Sequence, residues 1–105
     1  MADQVLILTT AGNESEARKI AGELVERKLA ACVNMVPRIH SIYRWQGRVE
    51  TAEEYLLLVK TEELRAKEVE AAVRELHSYD LPELVVVRIA GGSEAYLNWI
   101  SQSVR

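Results

Sequence analysis

Val5-Leu6-Ile7-Leu8 is an unbroken apolar run closed by Thr9 and Thr10, the pattern of a strand covered on both faces. Ala11-Gly12-Asn13 interrupts it. Beyond the break, Ala17, Ile20, Ala21, Leu24 and Val25 recur at helical spacing with Leu29 beside them, which predicts a helix from about Glu14 to Lys28. Asn13 suits its N-cap, and Glu16 is placed to complete a capping box. Two extended runs follow, Cys32 to Trp45 and Arg48 to Lys60, flanking Trp45-Gln46-Gly47-Arg48. Gly47 supplies the positive φ that a tight reversal needs, so the stretch reads as one hairpin. Arms of about thirteen residues span on the order of 43 Å, against a radius of gyration of about 13 Å for a compact chain of this size. Such a hairpin either bends sharply or carries its tip beyond its own domain.

Thr61 reads as the next N-cap, with Glu62 and Glu63 in the first turn; Val69, Ala72, Val73 and Leu76 are the buried stripe of a second helix ending near His77. Ser78 to Pro82 is a loop, because Pro82 biases Leu81 away from helical geometry. Leu84 to Ile89 is a fourth strand ended by Gly91-Gly92, and Ser93 caps a short helix carrying Tyr96, Leu97, Trp99, Ile100 and Val104. The order is β-α-β-β-α-β with a helical tail. This predicts an α+β, ferredoxin-like sandwich with a long hairpin between its second and third strands, a single domain over residues 1–105. Right-handed crossovers put both long helices on one face of the sheet. Yet Tyr55-Leu56-Leu57-Leu58-Val59 and two other strands are apolar on both faces. Left in water, the second face exceeds the few hundred Å² usual for a monomer, which predicts a homo-oligomer closed over it.

Composition narrows the function. With 49% hydrophobic and 28% charged residues the chain is globular, and a net charge of -3 argues against nucleic acid or an anionic membrane as partner. Lone Cys32 excludes an internal disulfide and any CxxC site. No apolar run approaches the ~18 residues of a membrane span, and Met1-Ala2-Asp3-Gln4 lacks the basic start of a secretory signal, so a cytoplasmic location is expected. There is no Phe and no aromatic RNA-binding strand, and Ala90-Gly91-Gly92-Ser93 reads as a turn rather than a phosphate loop. With no Ser-His-Asp set and no H-x-x-x-H spacing, the chain is not read as an enzyme.

Some side chains still carry chemistry. Cys32 opens the first arm on the parity of Asn34, Arg38 and His40; it is either a small buried hydrophobe or a soft-metal ligand. His77 at a helix end either caps the last carbonyls or binds a metal or ligand. Tyr43, Arg44 and Trp45 at the hairpin tip need a cover, from a neighbouring subunit or from a ligand. Lys60 and Glu83 at strand ends, beside a loop holding His77, Tyr79 and Asp80, either line a polar pocket or stand in solvent. Glu50, Glu53 and Glu54 face the basic first arm and read as cross-strand ion pairs.

Five segments together resemble a known family. They are Leu29-Ala30-Ala31-Cys32-Val33-Asn34, Ser41 to Gly47 (SIYRWQG), Leu58-Val59-Lys60-Thr61, Leu76 to Glu83 (LHSYDLPE) and Tyr96-Leu97-Asn98-Trp99-Ile100. In this order and spacing they are similar to the signature blocks of the CutA divalent-cation tolerance family. The resemblance implies a tight trimer akin to the PII signalling proteins, with hairpins reaching across to adjacent subunits. It also implies a role in the response to metal ions, with Cu(II) or another divalent cation bound through His77 and Cys32 and no established catalysis. The cleft between subunits would be lined by Tyr43, Trp45, Lys60, Tyr79, Glu83 and Trp99. The alternative it leaves open is a PII-like regulatory or scaffold trimer taking a small anionic ligand or a partner protein there. Ser78 and Arg88 stand where the family commonly has Pro. Copper-binding members can carry an extra Cys and a second His where this chain has Thr9 and Leu76, so weak coordination by His77 is implied.

Overall fold

The computed structural model describes residues 3–105. Its elements follow the order β1 (Gln4–Ala11), α1 (Glu14–Glu26), β2 (Cys32–Trp45), β3 (Arg48–Glu62), a single 3-10 turn (Glu63–Arg65), α2 (Ala66–Leu76), β4 (Val85–Arg88) and α3 (Glu94–Ser103). The strands form one four-stranded antiparallel sheet in the order β2-β3-β1-β4. This is the ferredoxin-like arrangement, with α1 and α2 each crossing over one intervening strand.

Residue parity sorts the sheet. Val5, Ile7, Leu57 and Val59 point to one face and are sealed by Ala17, Ile20 and Leu24 of α1 and by Val69, Ala72 and Val73 of α2. Helix α1 starts as expected, with the Asn13 Oδ1 accepting from the Glu16 N–H at 2.8 Å. It ends earlier, at Glu26, because Lys28 turns into left-handed geometry (φ 59°). The Lys28 N–H then donates to Val25 O and the Leu29 N–H to Leu24 O, at 3.0 and 2.9 Å, a Schellman closure that also tucks Leu29 onto the core. Thr61 is not a helix cap. Strand β3 runs on through it because Gln4 pairs with Glu62, and α2 begins only after the 3-10 turn.

The opposite face is only partly covered. Helix α3 lies over its Gln4 end, where the Gln4 Nε2–H donates to Leu97 O (3.1 Å) and to Ser101 Oγ (2.8 Å). Ile100 and Val104 are buried there, and Arg65 clamps the helix end by two donations to Val104 O at 3.0 and 2.7 Å. Farther along, Leu6, Leu8, Leu56 and Leu58 are half-buried, and Val85 and Val87 are 47% and 42% exposed. The second apolar face read from the sequence is real.

The hairpin both bends and projects. Strand β1 pairs with β3 only as far as Ala11 opposite Tyr55, so the part of the hairpin beyond Tyr55 has no third strand. Its turn is a two-residue reversal in which Gln46 and Gly47 both take positive φ, 50° and 79°, the twist that suits a hairpin. The longest molecular dimension is 43 Å. Between the pairs Val36–Leu56 and Ile39–Glu54 one extra residue enters β2, with Arg38 left-handed at φ 59°. This bulge reverses the face that each parity serves. Cys32 and Asn34 therefore share the open face with Ser41, Tyr43 and Trp45, and not with His40.

Ile7 lies at the centre of the covered face with no exposure. Ile7→Ala should lower unfolding free energy by about 2–5 kcal/mol, read by urea denaturation; a loss below about 1 kcal/mol would mean that the core is not built on this residue.

Candidate functional site

Beyond the last β1–β3 rung, the overhanging hairpin and the loop after α2 enclose a cleft of about 600 Å³ on the open face. Three aromatic side chains, Tyr43, Trp45 and Tyr79, and three carboxylates, Glu54, Asp80 and Glu83, line it. Among the described residues no Lys, Arg or His lines it. The bulge puts Tyr43 and Trp45 on this wall, two residues apart on one strand face. Glu54 lines the same cleft at its root, next to the last β1–β3 rung; it is only 6% exposed and accepts a hydrogen bond from the Tyr79 hydroxyl at 2.8 Å. The Tyr79 phenol is pushed up to about 12, first by burial and then by that carboxylate. It stays a neutral donor over the whole physiological range.

The loop that presents Tyr79 is braced from below. His77 is fully buried as a side chain, its ring 4.5 Å from that of Tyr79. The Tyr79 N–H donates to Nδ1 at 3.0 Å, which fixes the Nε2–H tautomer, and Nε2–H donates to Thr10 O at 2.6 Å. Both ring nitrogens are thereby used, and neither offers a lone pair to a metal in this arrangement. Glu16 does not reach back to its own cap. Its carboxylate accepts from the Ser78 N–H (2.7 Å) and Oγ–H (3.0 Å), tying the loop to the first turn of α1. A proline at position 78 would have neither donor. Gly12 completes the brace: a Cβ there would lie 2.9 Å from the Tyr79 hydroxyl oxygen.

Tyr43, Trp45, Tyr79 and Glu83 thus come together in one cleft, while Lys60 and Trp99 lie elsewhere. The Lys60 ammonium donates to Tyr96 Oη at 3.3 Å, and Tyr96 stacks on Trp99 at 5.3 Å between centroids. Cys32 is the cross-strand neighbour of Lys60. Along the sheet, Cys32 precedes Val36, which aligns through Leu56 with Thr10, by four residues, roughly 13 Å. A single subunit therefore does not bring Cys32 to His77. Among the described residues no three His, Cys, Asp or Glu side chains group as a metal site. The expected cross-strand ion pairs are absent too: among the described residues none involves Glu50, Glu53 or Glu54, because the register sets them opposite Tyr43, His40 and Ile39. Arg88 makes an exposed pair with Glu63 at 3.1 Å, worth at most about 1 kcal/mol.

The CutA1 divalent ion tolerance protein family model matches residues 5–103. The chain belongs to the CutA1 family. The divalent-cation tolerance protein CutA of Thermus thermophilus is 47% identical over 98 residues, 93% of this chain and 95% of that one. A solved structure of the Thermus thermophilus Cut A1 divalent cation tolerance protein superposes with a TM-score of 0.93 at 46% identity, covering 95% of this chain and 97% of its own. The chloroplastic CutA of Arabidopsis thaliana is 40% identical over 101 residues, but the chain spans only 56% of that protein. A further CutA structure, described as periplasmic and from Archaeoglobus fulgidus, matches at TM-score 0.94 and 39% identity, over 97% of this chain and 99% of that one. CutA proteins thus occupy several compartments, and the cytoplasmic expectation does not stand. Among the described residues no helix is long and apolar enough to cross a membrane.

A folded-state phenol pKa raised above the ordinary value of about 10 stabilises fully below that pH and is lost as pH rises through about 12. Unfolding studies between these limits should show a stability decline that Tyr79→Phe removes; parallel pH profiles for the two proteins would exclude the Tyr79–Glu54 bond. Gly12→Ala, by displacing the hydroxyl, should bring the phenolate absorbance titration of Tyr79 down toward the ordinary tyrosine range.

Proposed function

We propose that this CutA1 chain serves divalent-cation tolerance as a homotrimer that binds Cu(II), or another divalent cation, weakly and without catalysing a reaction. The observation that carries the reading is family membership over residues 5–103, joined to a fold that overlays the Thermus divalent-cation tolerance protein nearly end to end. The half-covered sheet face and the overhanging hairpin support the assembly, since both offer apolar area that a second and third copy would bury. The half-buried Cys32 thiol is the soft ligand at hand. His77 enters the coordination only when the 77–80 loop opens and releases Thr10 O and the Tyr79 N–H.

Static light scattering at micromolar concentration should return three times the 11.9 kDa chain mass; a single-copy mass overturns the assembly. Copper calorimetry, with Zn(II) as a redox-inert control, separates the ligands. Cys32→Ser should weaken binding about tenfold or more, whereas His77→Ala should cost stability and leave affinity within about twofold. A folded His77→Ala protein that no longer binds copper would instead make the imidazole the principal ligand.

One observation favours a second reading, a PII-like regulatory trimer that takes a small anion. Lys60 pairs with no carboxylate among the described residues and stands over the Tyr96 ring at 5.5 Å, an available cation beside an aromatic pair. The acidic cleft repels an anion, so this ligand belongs at Lys60. Lys60→Ala should abolish phosphate or nucleotide binding without weakening copper binding, since it removes a positive charge beside Cys32.

A further inference from the structure

On the reading that this chain binds a divalent cation, we infer that residues 77–80 form a clasp. Closed, it withholds the His77 imidazole from the ion, and Glu16 is the residue that keeps it closed.

The clasp is tied to the rest of the fold by side-chain hydrogen bonds. The core takes Leu76 before it and Leu84 after it but none of the apolar residues between, and Leu81 is 72% exposed. Among the described residues no backbone–backbone hydrogen bond joins 78–83 to another element. Four bonds to three elements remain. The His77 Nε2–H donates to Thr10 O on β1, Ser78 donates twice to Glu16 on α1, and the Tyr79 hydroxyl donates to Glu54 on β3. Each is modest in net free energy, so the segment can open while the sheet and helices stay folded.

These bonds are not independent. Tyr79 gives its N–H to His77 Nδ1 and rests its ring 4.5 Å from the imidazole, so the two residues move together. Ser78 lies between them and is held through Glu16, at 2.7 and 3.0 Å; one carboxylate thus supplies two of the four attachments. That side chain is only 12% exposed, which shields both bonds from water. It is also spare to its own helix, because Asn13 caps the Glu16 N–H and not its carboxylate.

The closed arrangement does not fit a ligand role for His77. The Nδ1 lone pair is spent on the Tyr79 N–H, Nε2 carries the proton, and the side chain has no exposure. Glu16 Oε2 lies 4.0 Å from Nδ1, but both carboxylate oxygens are occupied by Ser78. Opening returns a neutral imidazole with a free Nδ1, the form in which histidine binds metals.

Amide exchange and imidazole nitrogen NMR test this on Cys32→Ser protein, which lacks the thiol ligand, with Zn(II) as the probe. With Glu16 in place, Zn(II) should leave the His77 ring resonances unmoved. Adding Glu16→Ala should speed exchange of the Tyr79 amide, which Glu16 does not touch, about tenfold or more, and the His77 ring should then respond to Zn(II). Glu16→Gln keeps an acceptor for Ser78 and should fall between the two. A His77 ring that responds to Zn(II) with Glu16 intact overturns the clasp. So does faster Tyr79 exchange with no Zn(II) response, or unchanged exchange in a Glu16→Ala protein whose melting curve shows it folded. Wild-type protein that takes up no copper through Cys32 is a separate result, which overturns the cation binding and not the clasp.

Discussion

Ala11 opposite Tyr55 is the last rung between β1 and β3, and the chemistry of the cleft begins beyond it. Up to that rung the sheet has a third strand, two helices against one face and a filled core. Past it, β2 and β3 continue alone, with backbone pairing to each other and nothing behind them. Two strands by themselves are marginal in water, so the overhang holds its shape through what it meets at its sides. On one flank that is the 77–80 loop, reaching back through Tyr79 to Glu54. The cleft exists because one strand stops while its neighbours do not.

The bracing beneath the cleft is made of groups that never line it. His77 spends both nitrogens on the backbone, one toward Thr10 and one toward Tyr79, and so converts the end of α2 into a fixed platform for the phenol. Glu16 does the same from α1 through Ser78. Two residues whose usual roles are chemical or capping thus act as struts. Charge is divided accordingly: the acidic side chains gather at the hairpin end of the open face, while Lys60 with Tyr96 and Trp99 stands at the α3 end.

Much of the architecture was legible because apolar periodicity reports burial directly. The continuous run in β1 and the i, i+3, i+4 stripes of α1 and α2 led to the right elements and to a sheet with two apolar faces. The Thr61 helix start failed for a tertiary reason: pairing with β1 extends β3 past a residue whose local preference is to cap. Tyr43, Trp45, Tyr79 and Glu83 were grouped only through the family resemblance, together with Lys60 and Trp99, which lie elsewhere; in the residue pattern alone the tip aromatics and the strand-end charges were separate features. Glu54 was not among them, because in sequence it looks like one of three solvated acids. What separates it from Glu53 is plain alternation along β3; what sets Tyr43 and Trp45 on its face is the parity reversal at Pro37-Arg38, and an extra residue with positive φ on a non-glycine leaves no mark that composition can show. Gly12 carried a signal read only as a strand break, while its lack of a side chain is what admits the Tyr79 hydroxyl.

The bulge at Arg38 also reconciles two halves of β2 whose side chains alternate out of step. The turn pairing sets Ser41, Tyr43 and Trp45 on the face of Glu54, and the extra residue lets Cys32 and Asn34 keep that same face at the other end. Loss of that one residue would straighten β2 and leave both halves on the faces they now have, because each half takes its face from its partners on an unbroken β3. The overhang is thus anchored in register at its far end, where Gln46 and Gly47 set the first rung, and the mismatch with the sheet is absorbed at its root.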